Sequence, residues 1–269
     1  MKKTIFTVIF AVLATMAPML WAQLNAEDYK ITQNPDNTIT IDGITGTAYA
    51  KYIGSTGTLT IPDTLYGLKV TAIGNSAFSI SEYWPPGGIF QKLVIPDSIT
   101  RIGNRAFDGQ DFTSVTLGRG LRIIGDRAFA GNKLTEIVFP NTVTEIGEQA
   151  FSGNLLTELT LPPSVRKVGS NAFRGHYVNT EIGERGTFVT ANNITTLVIP
   201  ASLVNGQIGG SDFRYSPFNF GSLTRITLPA GMSDDLMKRN FEENLANFYI
   251  SQNRTAGIYV KNGPIWVRE

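Results

Sequence analysis

The sequence predicts a β-rich solenoid with coils of about 22 residues, parallel strands and short helical turns, closed by caps at both ends. Three observations carry this reading. Glycines that follow an aliphatic residue stand at 74, 103, 125, 147, 169 and 209, and the middle steps are 22, 22 and 22. A strand-ending pair keeps the same beat: IP at 61–62 and 95–96, LG at 117–118, FP at 139–140, LP at 161–162, IP at 199–200 and LP at 228–229. LTEIVFP at 134–140 and LTELTLP at 156–162 share the apolar spacing L-x-x-L-x-L. Units of this length cannot bury an apolar face alone and must stack on their neighbours.

Residues 1–22, MKKTIFTVIFAVLATMAPMLWA, place two lysines before an uncharged run, the pattern of a signal peptide cut after Ala22. An uncleaved anchor is the rival reading, because the run is just long enough to span a bilayer. Pro18 and the polar stretch after Ala22 favour cleavage and a mature chain with no membrane span. Residues 23–58 read as an N-terminal β cap, with a hairpin around NPDN at 34–37. The array proper covers 59–230, with parallel strands expected near 59–62, 93–96, 115–118, 137–140, 159–162, 197–200 and 226–229.

Within one coil, Leu134, Ile137 and Phe139 point inward and Pro140 ends the strand, having no N–H to donate. Val143 and Ile146 fill the second side, Gly147 permits a sharp turn, and a helical turn over EQAFSG sends Ala150 and Phe151 inward. Gly153 then suits the left-handed conformation that stops such a turn. Stacking puts Phe78, Phe107, Phe129, Phe151, Phe173 and Phe213 in one column, each contributing about 1.5–3 kcal/mol by burial. Residues 231–269 read as a C-terminal cap. It opens with a helix over 233–248, started by Ser233 and carrying Leu236, Phe241, Leu245 and Phe248, and ends in a hairpin around Asn262-Gly263.

The pattern I-G-x-x-A-F-x-G-N followed by L-T-x-I-x-I/L-P resembles the BspA-like leucine-rich repeats of bacterial surface proteins, over about residues 59–229. Asp212 replaces the alanine in GGSDF, and Gly118 and Gly169 mark smaller departures. The resemblance implies the fold and export, and it implies adhesion or binding to host or partner proteins.

Composition excludes several chemistries. Lys plus Arg total 23 against 22 Asp plus Glu, and removing Lys2 and Lys3 with the leader leaves 21 against 22. That balance offers no footprint for nucleic acid. With no cysteine and a single histidine, His176, thiol chemistry and Cys/His zinc sites are out of reach. His176 follows Gly175 and reads as a replaced turn residue rather than a catalytic base, since nothing is paired with it. Glu136 and Glu158 are one period apart, so two carboxylates on adjacent strands about 5 Å apart would suit a retaining glycosidase. A calcium ion needs more ligands than two carboxylates supply, and a flat strand face has no pocket. The threonine column Thr113, Thr135, Thr157, Thr195 and Thr224 reads as β-propensity. The Asn193 and Asn253 glycosylation patterns mean little in the bacterial protein that the resemblance implies. No catalytic, cofactor or metal site is expected.

Three insertions interrupt the beat, between Phe78 and Pro96, Phe173 and Pro200, and Phe213 and Pro229. They enter at one point of the coil and should emerge along one edge. They are rich in aromatics, and Tyr83, Trp84, Tyr177, Phe188, Tyr215 and Phe218 are the candidate partner-binding residues. The leading functional reading is an exported, non-enzymatic module, an adhesin in kind, that binds a protein partner such as a host matrix or surface protein. The alternatives are an envelope or matrix spacer and, behind it, a carbohydrate-binding or hydrolysing protein.

Overall fold

The computed structural model describes residues 24–46, 48, 57–79, 90–174, 176–178, 187–190, 192–209 and 223–269. The leader at 1–22 and Phe213 lie outside the described residues. The described residues form many strands and few helices, with no closed barrel.

One ladder, here called the back ladder, runs in chain order. Leu68–Ile73, Arg101–Ile102, Ile123–Ile124, Glu145–Ile146, Lys167–Val168 and Gln207–Ile208 pair in parallel, each with the next. Each two-residue strand contributes one inward aliphatic residue and Leu68–Ile73 contributes two, Val70 and Ile73; the inward partners along the ladder are Ile73, Ile102, Ile124, Ile146, Val168 and Ile208 in turn. The glycine after the earlier strands has a different purpose from the one the sequence suggests, whereas Gly209, after the last, does take a positive φ of 65°. Gly147 is absent from the positive-φ glycines, so no turn requires it there. A Cβ on Gly147 would instead lie 2.6 Å from the backbone nitrogen of Asp126 and from the carbonyl carbon of Gly125. It is close approach between repeats that excludes a side chain. The positive φ falls two residues later, on Ser76, Arg105, Arg127, Gln149 and Asn171, at 53° to 57°. Gly153 does take the left-handed conformation, with φ 66°.

The front ladder is made of Thr58–Thr60, Lys92–Val94 and Ser114–Thr116 in one sheet, and of Glu158–Thr160, Thr196–Val198 and Arg225–Leu228 in another. Most strands start one residue before the expected bounds and stop short of the proline. After the proline a tight turn closes, with Ile99, Val143, Val165 and Leu203 donating their N–H to the carbonyls of Pro96, Pro140, Pro162 and Pro200. The strand expected at 137–140 is not formed, although Leu134, Ile137 and Phe139 are all buried as the spacing requires.

The segments expected as short helical turns are hydrogen-bonded turns, not helices. Their amides reach across to the next repeat: Phe107 N–H donates to Ala128, Phe129 to Ala150 and Phe151 to Ala172, at 2.7–2.8 Å. An N–H committed to a neighbouring repeat cannot close the i→i−4 bond of a helix. Among the described residues, 3₁₀ turns occur at Ala26–Asp28 and Ala201–Leu203. Phe78, Phe107, Phe129, Phe151 and Phe173 stack in one column with ring centroids 5.2, 5.4, 5.2 and 5.5 Å apart. Beside it runs a column of buried asparagines. The Oδ1 of Asn132, Asn154 and Asn192 accepts from the N–H of Phe112, Leu134 and Leu156. Their Nδ2 groups donate to carbonyls of the phenylalanine turns, as Asn154 does to Phe129 and Phe151. Each amide thus satisfies backbone groups of its own and the preceding repeat, which would otherwise be buried unpaired.

At the N-terminal end the hairpin around NPDN forms between Tyr29–Gln33 and Ile39–Ile44, and its second strand continues the back sheet by pairing in parallel with Leu68–Ile73. At the C-terminal end the single expected helix is two, α1 (Asp234–Asn240) and α2 (Glu243–Ser251). Ser233 caps α1, its hydroxyl accepting from Leu236 N–H at 3.1 Å. The break comes where Phe241 and Glu242 are extended. There the Glu242 carboxylate accepts from Trp266 Nε1 at 2.7 Å and from Lys261 Nζ at 3.0 Å, a tertiary demand that helical spacing does not reveal. The closing hairpin joins Gly257–Asn262 to Ile265–Arg268, with Asn262 opposite Ile265. Its two central residues are therefore Gly263 and Pro264, one position beyond the expected pair, and Gly263 supplies the positive φ of 60°. Burial raises the Tyr249 hydroxyl above the ordinary tyrosine pKa, and that hydroxyl sits 2.6 Å from the Pro229 carbonyl.

Candidate functional site

The insertions begin and end at matching points of the repeat. Two of them leave after Phe78 and Phe173, which occupy the same stacked column four steps apart. All three return at Phe90, Ile194 and Leu223, each buried. These are corresponding positions, because Thr113 N–H bonds to Gln91, Thr195 N–H to Thr157 and Thr224 N–H to Thr195.

Of the six candidate aromatics, Tyr83, Trp84, Tyr215 and Phe218 lie outside the described residues. Of the other two, Tyr177 and Phe188 are register partners: His176–Val178 and Thr187–Thr190 form an antiparallel pair in which Tyr177 stands opposite Phe188 along the backbone. The second insertion thus carries a β-ribbon of its own. His176 opens its first strand opposite Thr190, which corrects the reading of this residue as part of a turn. Tyr and Val favour an extended backbone, and their strand extends back through the histidine.

Glu136 and Glu158 are not ladder partners. Glu136 stands in the stretch that forms no strand, and Glu158 pairs in register with Thr196 on its other side. Both are exposed. Among the described residues no group of three or more His, Asp or Glu stands together to hold a metal ion. Nor is any helix among them long and apolar enough to cross a membrane.

The threonine column has a bonding role that the pattern alone did not show. The hydroxyls of Thr113, Thr195 and Thr224 each donate to a carbonyl of the preceding repeat, on Gln91, Thr157 and Thr195, at 3.2 Å. A polar surface cavity of about 370 Å³ is lined by Asn104, Arg105, Asp126, Arg127, Glu148 and Gln149, the residues that follow each stacking glycine. Its charges are partly engaged with one another, since Arg127 bonds to Asp108 at 3.2 Å and to Gln149 at 3.1 Å. A second cavity, of about 550 Å³, lies between α2 and the closing hairpin, against Phe248, Ile265 and Trp266. Neither was legible in the sequence, because both are lined by residues distant in the chain or spread over successive repeats.

Residues 71–184 match the family described as BspA type Leucine rich repeat region, in 6 copies. Comparison with curated proteins gives no match. Among solved structures, a leucine-rich repeat protein of T. pallidum is 24% identical, with 70% of this chain and 80% of that chain covered and a TM-score of 0.50. A leucine-rich cell surface protein from Faecalibacterium prausnitzii is 25% identical over 78% of this chain and 55% of that one, with a TM-score of 0.47. The pneumococcal vaccine antigen PcpA is 21% identical over 78% and 70%, with a TM-score of 0.42. The first likeness is one of fold. Repeat spacing, inward residues and family match agree: the chain carries a BspA-type leucine-rich repeat region, with residues 71–184 as its matched part.

Proposed function

We propose that the chain is an exported, non-enzymatic protein-interaction module, wound as a solenoid with coils of about 22 residues and capped by 23–58 and 231–269. It binds a protein partner along the edge from which its insertions emerge. The observation that supports this reading is the coincidence of insertion points. Two insertions leave from one stacked phenylalanine column, and all three return at corresponding buried positions. In the second, Tyr177 and Phe188 are register partners on a β-ribbon. Aromatic side chains supply large contact area at low conformational cost, which is why they dominate interface hot spots. The repeat surfaces, by contrast, offer mainly Thr, Ser and Glu, several already bonded to the neighbouring repeat. Export rests on the leader at 1–22, and an adhesin role follows where the partner is a matrix or surface protein of a host.

The test is binding of the purified chain to a panel of immobilised extracellular-matrix proteins. It is compared with a variant carrying Tyr83→Ala, Trp84→Ala, Tyr177→Ala and Tyr215→Ala. The variant is expected to lose capture while its melting temperature stays within about 4 °C, the shift that 1 kcal/mol would produce in a chain of this size. A variant that binds every partner as well as wild type, or that unfolds early, would place the binding surface elsewhere. Phe188 and Phe218 are the next pair to replace.

A further inference from the structure

The front ladder is continuous from Thr58–Thr60 to Ser114–Thr116 and from Glu158–Thr160 onward, and it is interrupted at one repeat, 134–140. In the regular register, Ile61 N–H donates to Val94, Ile95 to Thr116, Leu161 to Val198 and Ile199 to Thr227. The corresponding bonds from Leu117 to Val138 and from Phe139 to Thr160 are not made. The ends of the same stretch remain tied, through Lys133 N–H to Phe112 and Leu155 N–H to Leu134. The back ladder passes unbroken from Ile124 to Ile146 to Val168, and the phenylalanine column keeps its spacing. The parting is therefore confined to the front.

The core is slightly less covered at the same place. Leu117, Ile137 and Phe139 are 9%, 8% and 7% exposed, whereas Ile95, Leu161 and Ile199, at positions corresponding to Leu117 and Phe139, are each 2%. Val138, on the outside, is 79% exposed, the most of any large hydrophobic residue described. The cause is legible in one side chain. The inward position before the strand-ending residue is Ile or Leu at 61, 95, 117, 161, 199 and 228, and Phe at 139. The Phe139 ring stands edge-on to Phe151 at 5.5 Å and to Phe173 at 6.4 Å, with interplanar angles of 89° and 85°. A ring set edge-on behind this stretch needs more depth than Leu, and because protein interiors are close-packed an oversized side chain is accommodated by backbone displacement.

We propose that residues 134–140 are a built-in opening of the front face, wedged by Phe139. About it the front strands on either side move independently, while the back ladder and the phenylalanine column hold the repeats together. Phe78 and Phe173, from which two insertions leave, lie on opposite sides of this repeat. The proposal does not depend on the insertions being the binding surface.

Native-state amide exchange on the full chain, read residue by residue by NMR as protection factors, tests it. The Leu117 amide is expected to be protected on the order of tenfold or more less than those of Ile95 and Leu161, since locally opened segments exchange well ahead of the ladder around them. Phe139→Leu should raise Leu117 protection about tenfold, because the smaller side chain lets the ladder close. Equal protection of Leu117, Ile95 and Leu161 in the wild-type chain would overturn the opening. A folded Phe139→Leu variant with Leu117 unchanged would overturn the wedge. The wild-type comparison stands whether or not the variant folds.

Discussion

The back and front of the same repeats are held together in different ways. On the back, each repeat contributes two residues to the ladder, and the glycine that follows lets neighbouring backbones approach too closely for any Cβ. The adjoining turns add a phenylalanine stack and an asparagine column that bond from one repeat to the next. These four kinds of contact recur together from Phe107 to Phe173. The front has ladder hydrogen bonds, an inward aliphatic pair and threonine hydroxyls, and one oversized residue is enough to interrupt it. The back is tied at each step by several side-chain-specified contacts and the front chiefly by its ladder, so a misfit at one inward residue parts the front alone.

The strongest way to break the comparison is in the phenylalanine column. Phe151→Ala removes a fully buried ring stacked between two others at 5.2 and 5.5 Å, in a column whose neighbours are fixed by the back ladder and cannot collapse. A loss of about 3–5 kcal/mol is expected in chemical denaturation; less than 1 kcal/mol would mean that the ring is not part of the core. Asn154→Ala should come next. It strands the buried N–H of Leu134 and withdraws a donor from the carbonyls of Phe129 and Phe151. The expected loss is about 1–3 kcal/mol, and a neutral result would show that water replaces the amide. Ser152→Ala should have the smallest effect. The buried Ser152 hydroxyl has no hydrogen-bond partner, and alanine stands at the corresponding position 130. Stability is expected to stay the same or rise by up to about 1 kcal/mol, whereas a clear loss would reveal a water bound to that hydroxyl.

Much of this was legible in the chain. The period, the inward residues Leu134, Ile137, Val143, Ile146, Ala150 and Phe151, and the phenylalanine column follow from spacing, because each repeat meets the same neighbours and the same residue recurs wherever the environment recurs. The asparagines at 132, 154 and 192 recur as well, but their pairing with two successive repeats shows only in three dimensions. Of the candidate site, the pairing of Tyr177 with Phe188 has a sequence signal in the β-favouring residues around each. Its register does not, since neither segment belongs to the repeat.

The sequence by itself determined the repeat, its direction of stacking and the identity of its core. These follow from periodicity in residues that cannot be buried except against their own kind. Tertiary structure alone decided three things: the purpose of Gly147, the split of the C-terminal helix at Phe241 and Glu242, and the parting of the front ladder at Phe139. Gly147 is dictated by a backbone 22 positions away. The helix gives way to a carboxylate wanted by Lys261 and Trp266. The ladder parts because Phe139 must share its depth with Phe151 and Phe173, and a phenylalanine in a strand reads in the sequence as no different from a leucine. Each outcome depends on what lies across the interior, and a linear pattern carries no measure of that distance.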